Sequence, residues 1–91
     1  MSDELSKVLK IVNEKGLHAR AAAAFVRTAD SFDAEVSVEK DRQTVSGHSI
    51  MGLMMLGAAC FSEIKVACSG KQAREALTAL EKLVNDKFNE N

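Results

Sequence analysis

Apolar and polar residues alternate along three segments of the chain, 5–12, 34–39 and 61–68, as they do in β-strands that bury one face. A short segment at 43–46 follows a turn at 40–42 and is predicted to pair with 34–39 as a hairpin. Because the strands present apolar side chains on one side only, the pattern favours an antiparallel sheet with one covered face and one open face.

Three further segments repeat apolar residues every three or four positions, which is typical of amphipathic helices. The first helix is predicted from His18 to about 30–31, after a turn at 14–16. The second is short, with Ser49 as its N-cap and Gly57 as its terminator. The third has the clearest apolar stripe, which comprises Ala73, Ala76, Leu77, Leu80, Leu83, Val84 and Phe88.

The order of these elements is βαββαβα, and one-sided strands require all the helices to cover the same side of the sheet. We therefore predict an α+β fold, an open-faced β-sandwich whose four-stranded antiparallel sheet is covered on one face by three helices. The sequence contains no linker, repeat or low-complexity segment. Residues 1–91 are accordingly predicted to form a single domain, near the lower size limit for an independent core.

Composition argues against two classes of partner. The formal net charge of -1 provides no basic field for nucleic acid or acidic lipid, and the aromatic content of 4% offers few platforms for stacking bases. Residues 1–10 contain no apolar run of the kind found in secretory signals, and no segment approaches the ~20 apolar residues that span a bilayer. We predict neither nucleic-acid binding nor membrane insertion.

The two cysteines, Cys60 and Cys68, lie at opposite ends of one predicted strand. At ~3.3 Å per residue they are separated by roughly 26 Å, too far for a disulfide within that strand. Reduced thiols are the simplest interpretation, and they favour a cytoplasmic protein. Their spacing matches no metal-ligand pattern, so we predict no metal site and no cofactor.

The segment Gly16-Leu17-His18-Ala19-Arg20 places a histidine at the start of the first helix. A helix N-terminus presents unpaired backbone N–H groups, here those of Ala19 and Arg20, and a partial positive charge that attracts anions. Arg20 opposes the helix dipole at a cost of roughly 0.3–1 kcal/mol, and no acidic residue lies between Lys15 and Ala29. We predict that this segment handles a dianion and that His18 carries a phosphoryl group. The pattern alone leaves open that His18 and Arg20 are ordinary surface residues.

The short helix predicts a surface for partner proteins. Helical geometry turns Met51 and Met55 away from the face that Ile50, Leu53 and Met54 share, and core packing accounts for Met54. Flexible, polarisable methionine suits a surface that fits several partners. The residues predicted to dock partners are Ala23, Ile50, Met51, Met54 and Met55.

Two segments, 16–20 and 49–57, resemble the two signatures of the HPr family, the histidine-containing phosphocarriers of the bacterial phosphotransferase system, which includes the nitrogen-related paralogue NPr. The resemblance extends over essentially the whole chain. It implies that His18 is the phosphorylated histidine, that Arg20 assists it, and that Ser49 is the serine modified by HPr kinase/phosphorylase in some bacteria. It further implies enzyme I as phosphoryl donor and a IIA-type protein as acceptor. Ala21 stands where the family pattern has proline.

The sequence is compatible with more than one function. The leading one is a phosphocarrier, not an enzyme that turns over a small molecule, with sugar transport and nitrogen regulation both open. The alternative is a regulatory binding module that acts through Ser49 and the Met51 surface without histidine chemistry. His48 is expected to face solvent, and a metal enzyme built from histidines and cysteines lacks ligand spacing. A shuttle that docks its partners through one face is expected to be a monomer.

Overall fold

The computed structural model describes residues 4–90, which form a four-stranded antiparallel sheet and three α-helices. The strands are β1 (Leu5–Lys10), β2 (Glu35–Lys40), β3 (Gln43–Ser46) and β4 (Glu63–Ser69). The helices are α1 (Ala19–Asp30), α2 (Ile50–Met55) and α3 (Ala73–Asn85), and a 3-10 turn, Lys87–Asn89, follows α3. Residues 1–3 and 91 lie outside the described residues. The predicted domain, 1–91, includes all four of them, and the prediction that 1–10 is not a secretory signal includes the first three.

The sheet has the strand order β1-β4-β2-β3, and each neighbouring pair is antiparallel. On the open face, Lys65 of β4 lies opposite Val8 of β1 and Glu39 of β2. The alternate residues, such as Val38 and Val66, are fully buried beneath the helices. The predicted open-faced sandwich is therefore confirmed, and the period-two pattern is the reason for it.

The core lies between the covered face of the sheet and the helices. Buried alanines on α1 and α3 let these two helices pack closely against each other and let α3 pack closely on the sheet, because a methyl group takes little space. The largest fully buried side chains include Phe25, Ile11, Leu53, Ile64 and Leu80. Helix α1, which begins next to His18, is thus held by a well-packed face.

One predicted strand is too long at its start. The alternation predicts a strand from residue 61, but β4 begins at Glu63, so Cys60 lies outside the strand. The cause is Phe61, whose φ of 72° puts it in the left-handed region and interrupts the extended chain. Pairing continues around this break, since the Phe61 N–H donates to the Ile11 carbonyl at 2.6 Å.

The apolar stripe of the last helix extends too far in the prediction. Helix α3 ends at Asn85, and Phe88 lies in a turn whose residues have φ values of 55–62°. Phe88 is nevertheless buried. Its spacing of four from Val84 continues the helical repeat, so the sequence pattern does not distinguish a helix from a chain that reverses and buries the same ring.

The predicted buried face of α2 is partly wrong. Leu53 is fully buried, but Ile50 and Met54 are 41% and 42% exposed. The helix has only six residues, and its C-cap Leu56 provides the second buried side chain. The predicted ends are confirmed: the Ser49 hydroxyl accepts from the Gly52 N–H at 2.9 Å, and Gly57 follows with φ of 64°.

Two glycines with left-handed φ provide a matched test of the packing near His18. A Cβ on Gly16 would lie 2.5 Å from the Ala58 carbonyl oxygen, whereas one on Gly57 would meet nothing within 4 Å. Gly57→Ala should therefore reduce the free energy of unfolding by about 1 kcal/mol, from backbone strain alone. Gly16→Ala should reduce it by about 2–4 kcal/mol, since overpacking adds to the same strain. Urea unfolding measures both, and equal losses would contradict the predicted backbone clash.

Candidate functional site

A tight loop before α1 determines where His18 lies. The Leu17 N–H donates to the Ala58 carbonyl at 2.8 Å, which ties this loop to the segment after α2. Inside the loop, the Gly16 N–H donates to the Asn13 carbonyl at 3.1 Å, and the Asn13 side-chain amide donates to the Gly16 carbonyl at 2.7 Å. Asn13 is almost fully buried, so the loop that carries His18 has a polar support inside the protein.

His18 is the N-cap residue of α1. Its backbone is extended, and its carbonyl accepts the first helical hydrogen bond, from the Ala22 N–H at 2.8 Å. The imidazole makes no capping hydrogen bond, and the first turn contains no acidic residue. The N–H groups of Ala19, Arg20 and Ala21 therefore keep the unpaired character of a helix start. The geometry places His18 beside the positive end of α1, where the sequence predicts it.

A cleft of about 610 Å³ opens at this end of α1. Its lining combines the start of the helix with the turn that follows α3. The lining residues are Glu14, Lys15, His18, Ala19, Arg20, Phe88, Asn89 and Glu90. The lining has two cations, Lys15 and Arg20, and two carboxylates, Glu14 and Glu90, so the unpaired N–H groups at the start of α1 are what favours an anion here.

The His18 ring is held by a carboxylate. The Nε2 atom of His18 contacts Oε2 of Glu90, and the Asn13 side-chain amide donates to Oε1 of Glu90 at 3.0 Å. Burial acts to raise the pKa of Glu90, but hydrogen bonds to His18 and Asn13 outweigh it, and the pKa of Glu90 lies below its usual value. Glu90 is therefore ionised at neutral pH and can only accept, so Nε2 carries the proton. No described residue is hydrogen-bonded to Nδ1.

Three residues of this site are absent from the sequence prediction: Asn13, Lys15 and Glu90. Lys15 had a usable signal, because it is a cation three residues before His18 in the predicted turn. Asn13 had a weaker one, as a polar residue between the first strand and that turn. Glu90 had none, since 72 residues separate it from His18.

Four of the five predicted docking residues form an exposed apolar surface on α2, which packs against α1. Met51 and Met55 are 72% and 73% exposed, and Ile50 and Met54 are also exposed. Ala23 is half-buried on α1. The N-cap of α2, Ser49, is partly exposed. We call the exposed set Ile50, Met51, Met54 and Met55 the methionine surface.

The sequence predicts that His48 faces solvent, but the structure shows it partly buried and in contact with Asp30. Its Nδ1 lies 2.7 Å from Oδ1 of Asp30, and its side chain is only 29% exposed. The contact joins the last residue of α1 to the segment that precedes α2.

Three further features of residues 4–90 concern metal ligands, thiols and helix length. These residues contain no group of three histidine, cysteine, aspartate or glutamate side chains arranged to hold a metal ion. Cys60 and Cys68 are free, and burial raises the pKa of the Cys68 thiol. Within the same part of the chain, no helix has the length and apolar character needed to cross a membrane.

Comparison with known proteins identifies the family of the chain. The PTS-HPr family model, described as the PTS HPr component phosphorylation site, matches residues 5–86. The phosphocarrier protein HPr of Neisseria meningitidis is 45% identical over 86 residues, which cover 94% of this chain and 97% of that protein. The chain belongs to the HPr family. Family membership confirms the resemblance stated from the two segments 16–20 and 49–57.

Solved HPr structures have the same fold. The crystal structure of HPr-C-His from Thermoanaerobacter tengcongensis matches with a TM-score of 0.92 and 41% identity, covering 96% of this chain and 98% of that one. A crystal structure described as an HPr dimer from the same organism matches with a TM-score of 0.76 and 44% identity, covering 90% and 94%. Dimers thus occur among HPr proteins, whereas the sequence predicts a monomer here.

Proposed function

We propose that this HPr-family phosphocarrier accepts a phosphoryl group from phosphorylated enzyme I on His18 and passes it to a IIA-type protein. The observation that carries the proposal is the position of His18 at the start of α1, in a cleft bordered by Lys15 and Arg20. A nucleophile that must take a dianion and release it again needs partial exposure, a helix N-terminus and nearby cations.

Nδ1 of His18 is the nitrogen that takes the phosphoryl group. Because Nε2 holds its proton against Glu90, the neutral ring keeps its lone pair on Nδ1. That lone pair attacks phosphorus, the new N–P bond forms, and the bond from phosphorus to the donor breaks with its electron pair leaving on the donor. Transfer to the acceptor reverses these bond changes, and His18 returns to its starting form.

The start of α1 stabilises the transferred group. The backbone N–H groups of Ala19 and Arg20 have no acceptor within the helix and serve the phosphoryl oxygens. The Arg20 guanidinium and the Lys15 ammonium supply positive charge from the border of the cleft. This stabilisation is modest because the cleft is open to water, which suits a group that must leave again.

Partner proteins dock on the methionine surface together with Ala23. Helix α2 packs on α1, so a protein bound to α2 is brought to the same side of the molecule as His18. Unbranched methionine side chains adapt to differently shaped partners, which a carrier with a donor and an acceptor requires.

Ser49 connects this surface to regulation. Its hydroxyl lies at the start of α2, directly before the methionine surface. A phosphate added there by HPr kinase/phosphorylase places a dianion at the edge of the docking residues, where it disfavours apolar contact with a partner. We propose that this charge weakens docking without unfolding α2.

Phosphorylation itself provides the first test. Incubation with phosphoenolpyruvate and enzyme I should add one acid-labile, base-stable phosphate to His18, detected by mass spectrometry. His18→Ala should take none, and Arg20→Ala should react on the order of tenfold more slowly because it loses a charge-assisted contact. Arg27→Ala, in the last turn of the same helix, is the matched control and should react at the wild-type rate. A His18→Ala protein that still relays phosphate would overturn the proposal, and an unmodified wild type would leave a purely regulatory binding module.

Docking is tested by a charge on the methionine surface. Met51→Asp should raise the KM for phosphorylated enzyme I about tenfold or more, because an interface core does not tolerate an unpaired carboxylate. Val8→Asp is the control, since Val8 is exposed on the opposite face of the sheet, across from Lys65. Both variants should keep the wild-type circular dichroism spectrum. Equal KM values for the two variants would contradict a docking role for Met51.

Regulation is tested with a matching kinase and ATP. Mass spectrometry should place one phosphate on Ser49 in the wild type and none in Ser49→Ala. The phosphorylated protein should then accept phosphate from enzyme I more slowly while its helical signal is unchanged. Ser49→Ala alone should reduce the free energy of unfolding by about 1 kcal/mol, because the cap to Gly52 is lost. Absence of phosphate on Ser49 would end this part of the proposal.

A further inference from the structure

The chain after α3 adopts an unusual conformation. Lys87, Phe88 and Asn89 all have left-handed backbone angles, with φ of 58°, 55° and 62°. Non-glycine residues rarely adopt this region, and three in succession persist only where the surrounding structure imposes them. Such outliers concentrate at functional sites, and this turn lines the cleft at His18.

Two features fix the turn. The Phe88 ring is buried in the core, so the turn is anchored to the same interior as α1. The Asn89 N–H donates to the Asp86 carbonyl and the Glu90 N–H donates to the Lys87 carbonyl, each at 2.9 Å. The result is that the next side chain, Glu90, projects into the cleft at His18.

Glu90 differs from every other charged group at the cleft. Lys15 and Arg20 border it as cations, and Glu14 lines it as a second carboxylate, but none of these three makes a hydrogen bond to the imidazole. Glu90 contacts Nε2, and its other oxygen is fixed by the buried Asn13. A carboxylate held at both oxygens gives the ring one orientation.

We propose that Glu90 is a positioning residue for phosphoryl transfer: it orients the His18 ring through Nε2 and compensates the positive charge that the ring acquires when Nδ1 is phosphorylated. This inference rests on the proposed phosphocarrier function and names a further residue of the same site.

The charge requirement follows from the transfer step. As the Nδ1–P bond forms and the donor bond breaks, the ring gives an electron pair to phosphorus while Nε2 keeps its proton. The product is a phosphorylated imidazolium, so positive charge develops on the ring during the reaction. The Glu90 carboxylate already lies against Nε2, where it stabilises this charge without reorganisation, as a buried aspartate does for the histidine of a serine protease.

The experiment compares three variants of the full chain in phosphorylation by enzyme I. Glu90→Ala removes both the contact and the charge, whereas Glu90→Gln removes the charge and replaces one of the two acceptor oxygens with an NH2 donor. Glu14→Gln removes a carboxylate from the same cleft that has no contact with the ring. Rapid-quench measurements give kcat and KM for each, and thermal unfolding verifies that all are folded.

We expect kcat to fall on the order of tenfold in Glu90→Ala and several-fold in Glu90→Gln, with KM unchanged because the docking residues are intact. Glu14→Gln should lower kcat by less than either. Imidazole ¹⁵N NMR of the unphosphorylated proteins at alkaline pH supplies a spectroscopic readout. The neutral ring should be the Nε2–H form in wild type and a mixture of both forms in Glu90→Ala.

The outcomes separate the two ideas. If wild-type His18 takes no phosphate, the proposed function fails, and the role of Glu90 fails with it. If wild type is phosphorylated and the Glu90 variants react equally fast, only the role of Glu90 is overturned. Faster reaction of Glu90→Ala would also overturn it, because that result marks Glu90 as a residue that blocks His18. An unchanged ring form in Glu90→Ala would remove the orienting part of the inference.

Discussion

The close approach of Gly16 to the backbone of Ala58 and Ala59 is the constraint on which the rest of the site depends. No side chain fits there, and the hydrogen bond from Leu17 to Ala58 forms because the two segments lie this close. The contact fixes the loop that delivers His18 to the start of α1. Without this contact, the loop would not hold His18 in a defined position at the start of the helix.

The local patterns of the chain were sufficient for the sheet and the helices, because strand and helix periods are set by residues two to four positions apart. These patterns gave wrong results where the helical spacing continued along the sequence but the helix or its buried face did not. Phe88 keeps the spacing of α3 after the helix has ended, and Met54 keeps the spacing of a buried face on a helix too short to bury it. In both cases the helical repeat was present, and tertiary packing decided the outcome.

The sequence was sufficient to predict the histidine of the site but not the residues that hold its ring and its loop in place. A histidine, an arginine and a run of alanines at a helix start are visible within the single short segment 18–24. Glu90 comes from the other end of the described chain, and its approach depends on the left-handed turn and the burial of Phe88. Nothing in the residues around Glu90 indicates that contact. Long-range partners of this kind require coordinates.

The contact between Glu90 and His18 links segments that are 72 residues apart. Its formation closes a long stretch of chain and depends on the burial of Phe88 and on the turn after α3. The carboxylate therefore reaches the imidazole only in a chain whose last helix has packed. The environment of the histidine is in this sense a product of the completed fold and not of its local sequence.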